Sequence, residues 1–174
     1  ALTYALLGFF FLYRSLRKKF NETISLLTLC CIMLGTNLFW FTLYQAGMSH
    51  LPLFFLYSLL MYLTIEIHQD SKWYQFLGIG IVTGFITIIR PSDIICILIP
   101  LLYNIYSLET FRIKLNWIQT QWKWFIACGV FFMLPILPQY IIIMIIMRPT
   151  VFKSLVMPVV MPTVLIAEYT SNST

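Results

Sequence analysis

Charge is what this sequence has least of. Of its 174 residues only 11 are Lys or Arg and 6 are Asp or Glu, 10% in all, against about 25% in an average soluble domain. The complement is a 60% hydrophobic content and a mean hydropathy of +0.88. This balance excludes a soluble globular domain and implies an integral, multi-pass membrane protein whose first partner is the lipid bilayer. The net charge of +5 is then no sign of a nucleic-acid partner, because the basic residues sit in short loops between apolar runs, where topology signals belong. Cysteines are also few. Cys30, Cys31, Cys96 and Cys128 all fall within apolar runs and none has metal-ligand spacing, so they read as small hydrophobes packed between helices. No strand precedes Gly78, Gly80 and Gly84, which excludes a phosphate-binding loop and leaves close helix packing. Glu66, His68 and Asp70 are near one another in sequence but lack a fourth ligand, and they read as a solvated helix end. No cofactor or metal site is identified, and dependence on a divalent metal is left open.

What is present is a series of apolar runs. The chain starts at Ala1 inside such a run, and Arg14, Arg17, Lys18 and Lys19 follow it. A signal peptide has its basic residues before its apolar core, so Ala1–Tyr13 reads as the second half of a span in a longer parent. Thr23–Tyr44 has the roughly 20 residues that a crossing needs. Leu51–Ile67 is a third run. Residues 73 to 111 number 39, and one straight helix of that length would span about 58 Å, far beyond a hydrocarbon core of about 30 Å. The segment must therefore fold back at Pro91, with a helix ending near Arg90 and another starting at once. Glu109–Lys123 reads as an amphipathic interfacial segment. Trp124–Met147 is a sixth run, kinked at Pro135 and Pro138. The expected fold is all-α, a polytopic transmembrane bundle of about six spans over residues 1–147, with 148–174 an unassigned tail.

Loops after the odd-numbered runs hold eight Lys or Arg residues and loops after the even-numbered runs hold three. The positive-inside rule then places Arg14–Glu22, His68–Gln75 and the interfacial segment in the cytoplasm, and Gln45–His50 and Arg90–Asp93 together on the outer face. Arg90 and Asp93 are the only charged residues between Lys72 and Glu109, and ionisable groups between spans mark a site or a boundary. Arg90 offers a planar fork of donors suited to phosphate. Asp93 and His50 are the candidates for a proton acceptor, although the catalytic residue itself is not identified. Ser92 or Asp93 is also placed to cap the helix that starts at Pro91. Gln45, His50, Arg90, Ser92 and Asp93 form the candidate substrate site, for an anionic lipid-linked substrate. The alternative is that Arg90 only snorkels to headgroups and pairs with Asp93.

The stretches YQAGMSHLPLFFLYSLLMYL (Tyr44–Leu63), GFITIIRPSDIICILIPLL (Gly84–Leu102) and NLFWF (Asn37–Phe41) resemble bacterial multi-span glycosyltransferases of the GT-C superfamily, of the protein-mannosyltransferase and aminoarabinose-transferase type. The resemblance covers roughly Ile24–Pro138. It implies a polyprenyl-phosphate-linked sugar donor, a glycan, lipid or protein acceptor, transfer at the outer face, and location in a bacterial inner membrane. The family's catalytic carboxylate lies in an outer loop after its first span, so it is expected upstream of Ala1, and the fragment alone is expected to be inactive. Relatives often carry Glu-Pro before Gly-Met-Ser-His; here those positions are Gln45 and Ala46. Two other readings remain: a transporter or flippase fragment, whose broken helices also flank charged corners, and a non-catalytic membrane assembly protein.

Overall fold

A computed structural model describes residues 2–44 and 48–146, and these are helical without strands. Gln45 and the tail from 147 onward lie outside the described residues. The chain divides into two compact units, Ala1–Ile136 and Leu137–Thr174, and the site and both ends considered below belong to the first. The elements are α1 (Leu2–Arg17), α2 (Glu22–Gly35), α3 (Leu38–Leu43), α4 (His50–Gln69), α5 (Trp73–Ile89), a 3-10 helix (Pro91–Ile97), α6 (Leu98–Leu102), α7 (Leu108–Thr120) and α8 (Trp122–Ile146).

Two of the expected runs change form. The Thr23–Tyr44 run is not one helix but α2 and α3, broken at Thr36 and Asn37. Thr36 is extended at φ −118° and ψ 163°; its hydroxyl donates back to the Ile32 carbonyl at 2.6 Å and accepts from the Leu38 amide at 3.3 Å. A hydroxyl competing for backbone groups ends the helix even within apolar sequence. The fold-back at Pro91 is present, but the returning arm begins as a 3-10 helix. That form rises about 2.0 Å per residue against about 1.5 Å in an α-helix. The arm Pro91–Leu102 thus returns over about 21 Å, most of the roughly 26 Å that the 17 residues of α5 occupy. Asn104, at φ 69°, then turns the chain toward α7, a conformation that Asn tolerates better than most residues. α8 stays helical through Pro135 and Pro138.

Contacts fix the directions of the helices. Along α1 and α4, Tyr4 meets Phe55 at 6.1 Å, Phe11 meets Tyr62 at 5.6 Å and Lys18 Nζ meets Glu66 Oε1 at 2.5 Å, so these two helices run parallel. α5 runs back along α4. Cys128 and Phe132 of α8 face Gly80 and Gly84 of α5. A Cβ on Gly80 would collide with the Cys128 carbonyl oxygen, and one on Gly84 would lie 2.6 Å from the Phe132 carbonyl oxygen and from Pro135 Cγ. Gly78 faces α4 instead, where a Cβ would lie 3.2 Å from Leu63 Cδ1. These glycines therefore let α5 approach two helices, as the sequence leads one to expect. The core joins Leu53, Leu60 and Ile67 of α4, Phe76, Ile79, Val82 and Ile86 of α5, and Cys96 of the 3-10 helix.

Among the described residues two helices, His50–Gln69 and Trp122–Ile145, have the length and hydropathy to cross a membrane. The other apolar elements are shorter. Large side chains such as Leu27, Leu34 and Ile95 are exposed at 64%, 79% and 68%, and apolar surface of that extent needs a partner medium.

Candidate functional site

The helix directions gather His50, Arg90 and Asp93 at one end of the first unit. Arg90 closes α5: its amide donates to the Ile86 carbonyl at 2.9 Å, and its extended backbone, φ −141° and ψ 106°, is the conformation that a following proline favours. Its carbonyl accepts from the Asp93 amide at 2.9 Å and so starts the 3-10 helix. Pro91 occupies the first position, where no amide hydrogen is missed.

The local geometry corrects two expectations. Neither Ser92 nor Asp93 caps the new helix, because Arg90 is its cap residue and no side-chain cap bond forms. The Ser92 hydroxyl instead donates to Asp93 Oδ1 at 3.2 Å. Nor does Arg90 pair with Asp93: the ion pairs among the described residues are Arg17–Glu22, Lys18–Glu66 and Lys72–Asp70. The guanidinium turns across to α4, where Nη2 lies 3.3 Å from His50 Nδ1. Guanidinium has only donors, so Nδ1 accepts and the neutral ring carries its proton on Nε2. Phe41 of α3 stacks on the imidazole at 4.4 Å and 24°, fixing its plane.

The corner therefore brings together His50, Arg90, Ser92 and Asp93; Gln45, the fifth expected member, falls outside the described residues. Sequence reasoning missed Tyr57. It lies two turns along α4 from His50 and faces Asp93, and the i to i+7 spacing on one helix is the signal that would have found it. Arg90 makes this one side-chain hydrogen bond among the described residues and keeps its remaining N–H donors. Chemically, the corner offers a donor fork for an anion, an imidazole to orient it and a carboxylate beside two hydroxyls.

The opposite end collects the basic loops, and several of its cations are engaged. Lys18 binds Glu66, which also accepts from the Tyr62 hydroxyl at 3.0 Å. Lys19 lies 4.6 Å over the Tyr103 ring. Lys114, expected on an interfacial helix, turns inward and is 7% exposed. Its ammonium donates to the Pro100 carbonyl at 3.1 Å, to the Tyr103 carbonyl at 3.4 Å and to His68 Nε2, and burial lowers its pKa to about 8. Ser107 and Thr110 cap α7 reciprocally, with the Ser107 amide donating to Thr110 Oγ1 at 2.8 Å. Glu66, His68 and Asp70 turn to different partners: Glu66 to Lys18 and Tyr62, His68 to Lys114 and to the Thr64 carbonyl at 2.7 Å, and Asp70 to Lys72 at 3.9 Å.

All-helical architecture among the described residues and an apolar exterior define a membrane-associated helical protein. The family model for dolichyl-phosphate-mannose-protein mannosyltransferase matches residues 1–120, and the chain belongs to this family, whose members are glycosyltransferases of the GT-C type. The match takes in α1 and both parts of the corner and ends at the last residue of α7. No curated protein and no solved structure matches the chain.

Proposed function

We propose that the chain is the transmembrane part, residues 1–147, of a GT-C glycosyltransferase that moves a sugar from a polyprenyl-phosphate-linked donor to an acceptor at the outer face of a bacterial inner membrane. Residues 148–174 are an unassigned tail in this reading. α1, the α2–α3 pair, α4, α5, the Pro91–Leu102 arm and α8 make about six passes of alternating direction, with α7 lying at the cytoplasmic interface. The charge distribution supports this orientation, since the basic loops gather at one end and the Arg90 corner at the other.

The observation that carries the reading is the Arg90–His50 pair. A cation in a sparsely charged chain is held by a neutral ring rather than a carboxylate, so its charge and most of its donors remain for a phosphate. Asp93 and His50 are the candidates within this chain for base work. Full-length protein reconstituted in liposomes with a radiolabelled polyprenyl-phosphate-linked sugar tests the proposal. Wild type should transfer label to an acceptor. Arg90→Ala should lower transfer about a hundredfold at limiting donor, as two charge-assisted hydrogen bonds to phosphate are lost. Unchanged transfer by Arg90→Ala would remove the corner from the site.

A further inference from the structure

The basic end holds two adjoining cavities that the transfer reaction does not use. The first is apolar, about 200 Å³, and lies among Phe76, Ile79, Ile97, Phe125, Gly129 and Phe132. The second, about 230 Å³, is more polar than the first and is lined by Tyr103, Asn104, Thr110 and Lys114 among others. His68 and Trp117 line both, so these two side chains form the wall the cavities share. Their rings stack at 5.2 Å and 29°, and the Trp117 indole N–H donates to Ser71 Oγ at 3.1 Å, which holds that wall in place.

The charge at the second cavity is unbalanced. Lys114 is buried and all its acceptors are neutral, while Lys19 stands over Tyr103 on the same side. Of the nearby carboxylates, Glu66 is engaged by Lys18 and Asp70 by Lys72, while Glu109 of the first turn of α7 is exposed and makes no ion pair with Lys114. We infer that these joined cavities bind an anionic phospholipid, with one acyl chain entering the apolar cavity that α5, α8 and the Ile97–Leu101 stretch of the returning arm enclose and the phosphate headgroup resting near Lys114, Lys19, Asn104 and Thr110. The apolar cavity is large enough for such a chain segment, since one of about 150 Å³ already accepts a benzene-sized ligand. Because the three donors of Lys114 are occupied, its contribution is charge, and the acyl chain supplies the burial. The lipid would wedge α7 against α5 and α8 at the face opposite the Arg90 corner.

Gly129 provides a clean test. It lines the apolar cavity, and a Cβ added there meets no atom within 4 Å. Gly129 is exposed at the cavity wall, so Gly129→Leu should add bulk at the cavity opening without a backbone clash at Cβ. The experiment titrates delipidated full-length protein in detergent with brominated phosphatidylglycerol or brominated phosphatidylcholine and follows quenching of tryptophan fluorescence. Phosphatidylglycerol should quench at about fivefold lower mole fraction, the effect of one cation near a lipid headgroup. Gly129→Leu should weaken phosphatidylglycerol quenching by at least that factor, and Lys114→Gln should narrow the preference between the two lipids, with Lys19 supplying what is left. Equal curves for the two lipids in wild type, or an unchanged curve in Gly129→Leu, would overturn the inference. Displacement of the brominated lipid by millimolar inorganic phosphate would also overturn it, by showing a free-anion site.

Discussion

Arg90 and Lys114 are two cations without a carboxylate partner among the described residues, set at opposite ends of one bundle, and they are satisfied in different ways. Lys114 uses the three donors of its ammonium on His68, Pro100 and Tyr103. Arg90 uses one of five on His50. Lys114 is buried and Arg90 only half-buried, and burial without a counter-ion is costly. At Lys114 the backbone carbonyls at the end of α6 offset that cost, and the side chain ties α7 to the returning arm. At Arg90 a single bond to a neutral ring leaves the other donors free, which is what the proposed phosphate site needs. The two ends thus differ in how far their cations are satisfied from within the chain, Lys114 fully and Arg90 by one bond.

The widest separation between the two ends should appear in topology. Single cysteines at Lys18, Lys114, His50 and Ser92, in a background without the four native cysteines, should divide completely: the first two blocked and the last two labelled by an impermeant thiol reagent applied from outside. Labelling at position 18 would reverse the orientation and remove the outer-face site. A smaller division should appear in transfer. His50→Ala should lower donor use about tenfold, since it releases the guanidinium from its oriented position and one hydrogen bond to a charged group is lost. His50→Asn, which keeps an acceptor near Nδ1, should recover part of that loss. Lys18→Met should leave transfer unchanged while lowering stability by about 1 kcal/mol, because its pair with Glu66 is only partly shielded from solvent. A loss of transfer in Lys18→Met with normal folding would mean that the two ends are not separable.

The smallest effect concerns pH. Burial lowers Lys114 from 10.5 to about 8 in the folded chain. Between those values the unfolded chain holds more protons than the folded one, so stability should rise with pH across this window. The groups facing Lys114 are His68 of α4, Trp117 of α7 and the carbonyls of Pro100 and Tyr103, with Lys19 beyond Tyr103. Thermal unfolding of wild type against Lys114→Gln should show the rise in wild type and a flatter profile in the variant. Identical profiles would place Lys114 in water rather than in the bundle.

Much of this arrangement is legible in the sequence, and the exceptions have physical causes. The helical runs and the corner at Pro91 follow from composition, because so few charges interrupt the chain that most of them fall at or near the ends of apolar runs. The glycine contacts of α5 follow from the same sparse grammar. The break at Thr36 is hidden because it comes from a hydroxyl bonding its own backbone inside an apolar run. The pitch of the returning arm is hidden too, since proline announces a helix start but not a 3-10 rise. The partner of Arg90 escapes sequence reasoning for a different reason. Asp93 is close in sequence, yet the nearest acceptor belongs to His50, 40 residues away and brought in by the antiparallel course of α4 and α5. Lys114 reads as an interfacial cation because amphipathic spacing does not reveal which long side chain will turn inward.

The central claim is that Arg90 keeps its planar fork for a lipid-linked phosphate, and Arg90→Lys tests it most directly. Lysine retains the charge and the reach to headgroups but loses the paired geometry. Transfer by the full-length protein, normalised to folded protein and measured across a donor titration, should fall about tenfold at limiting donor with membrane abundance unchanged. Near-normal transfer by Arg90→Lys at limiting donor would contradict the claim and leave Arg90 as a snorkelling cation.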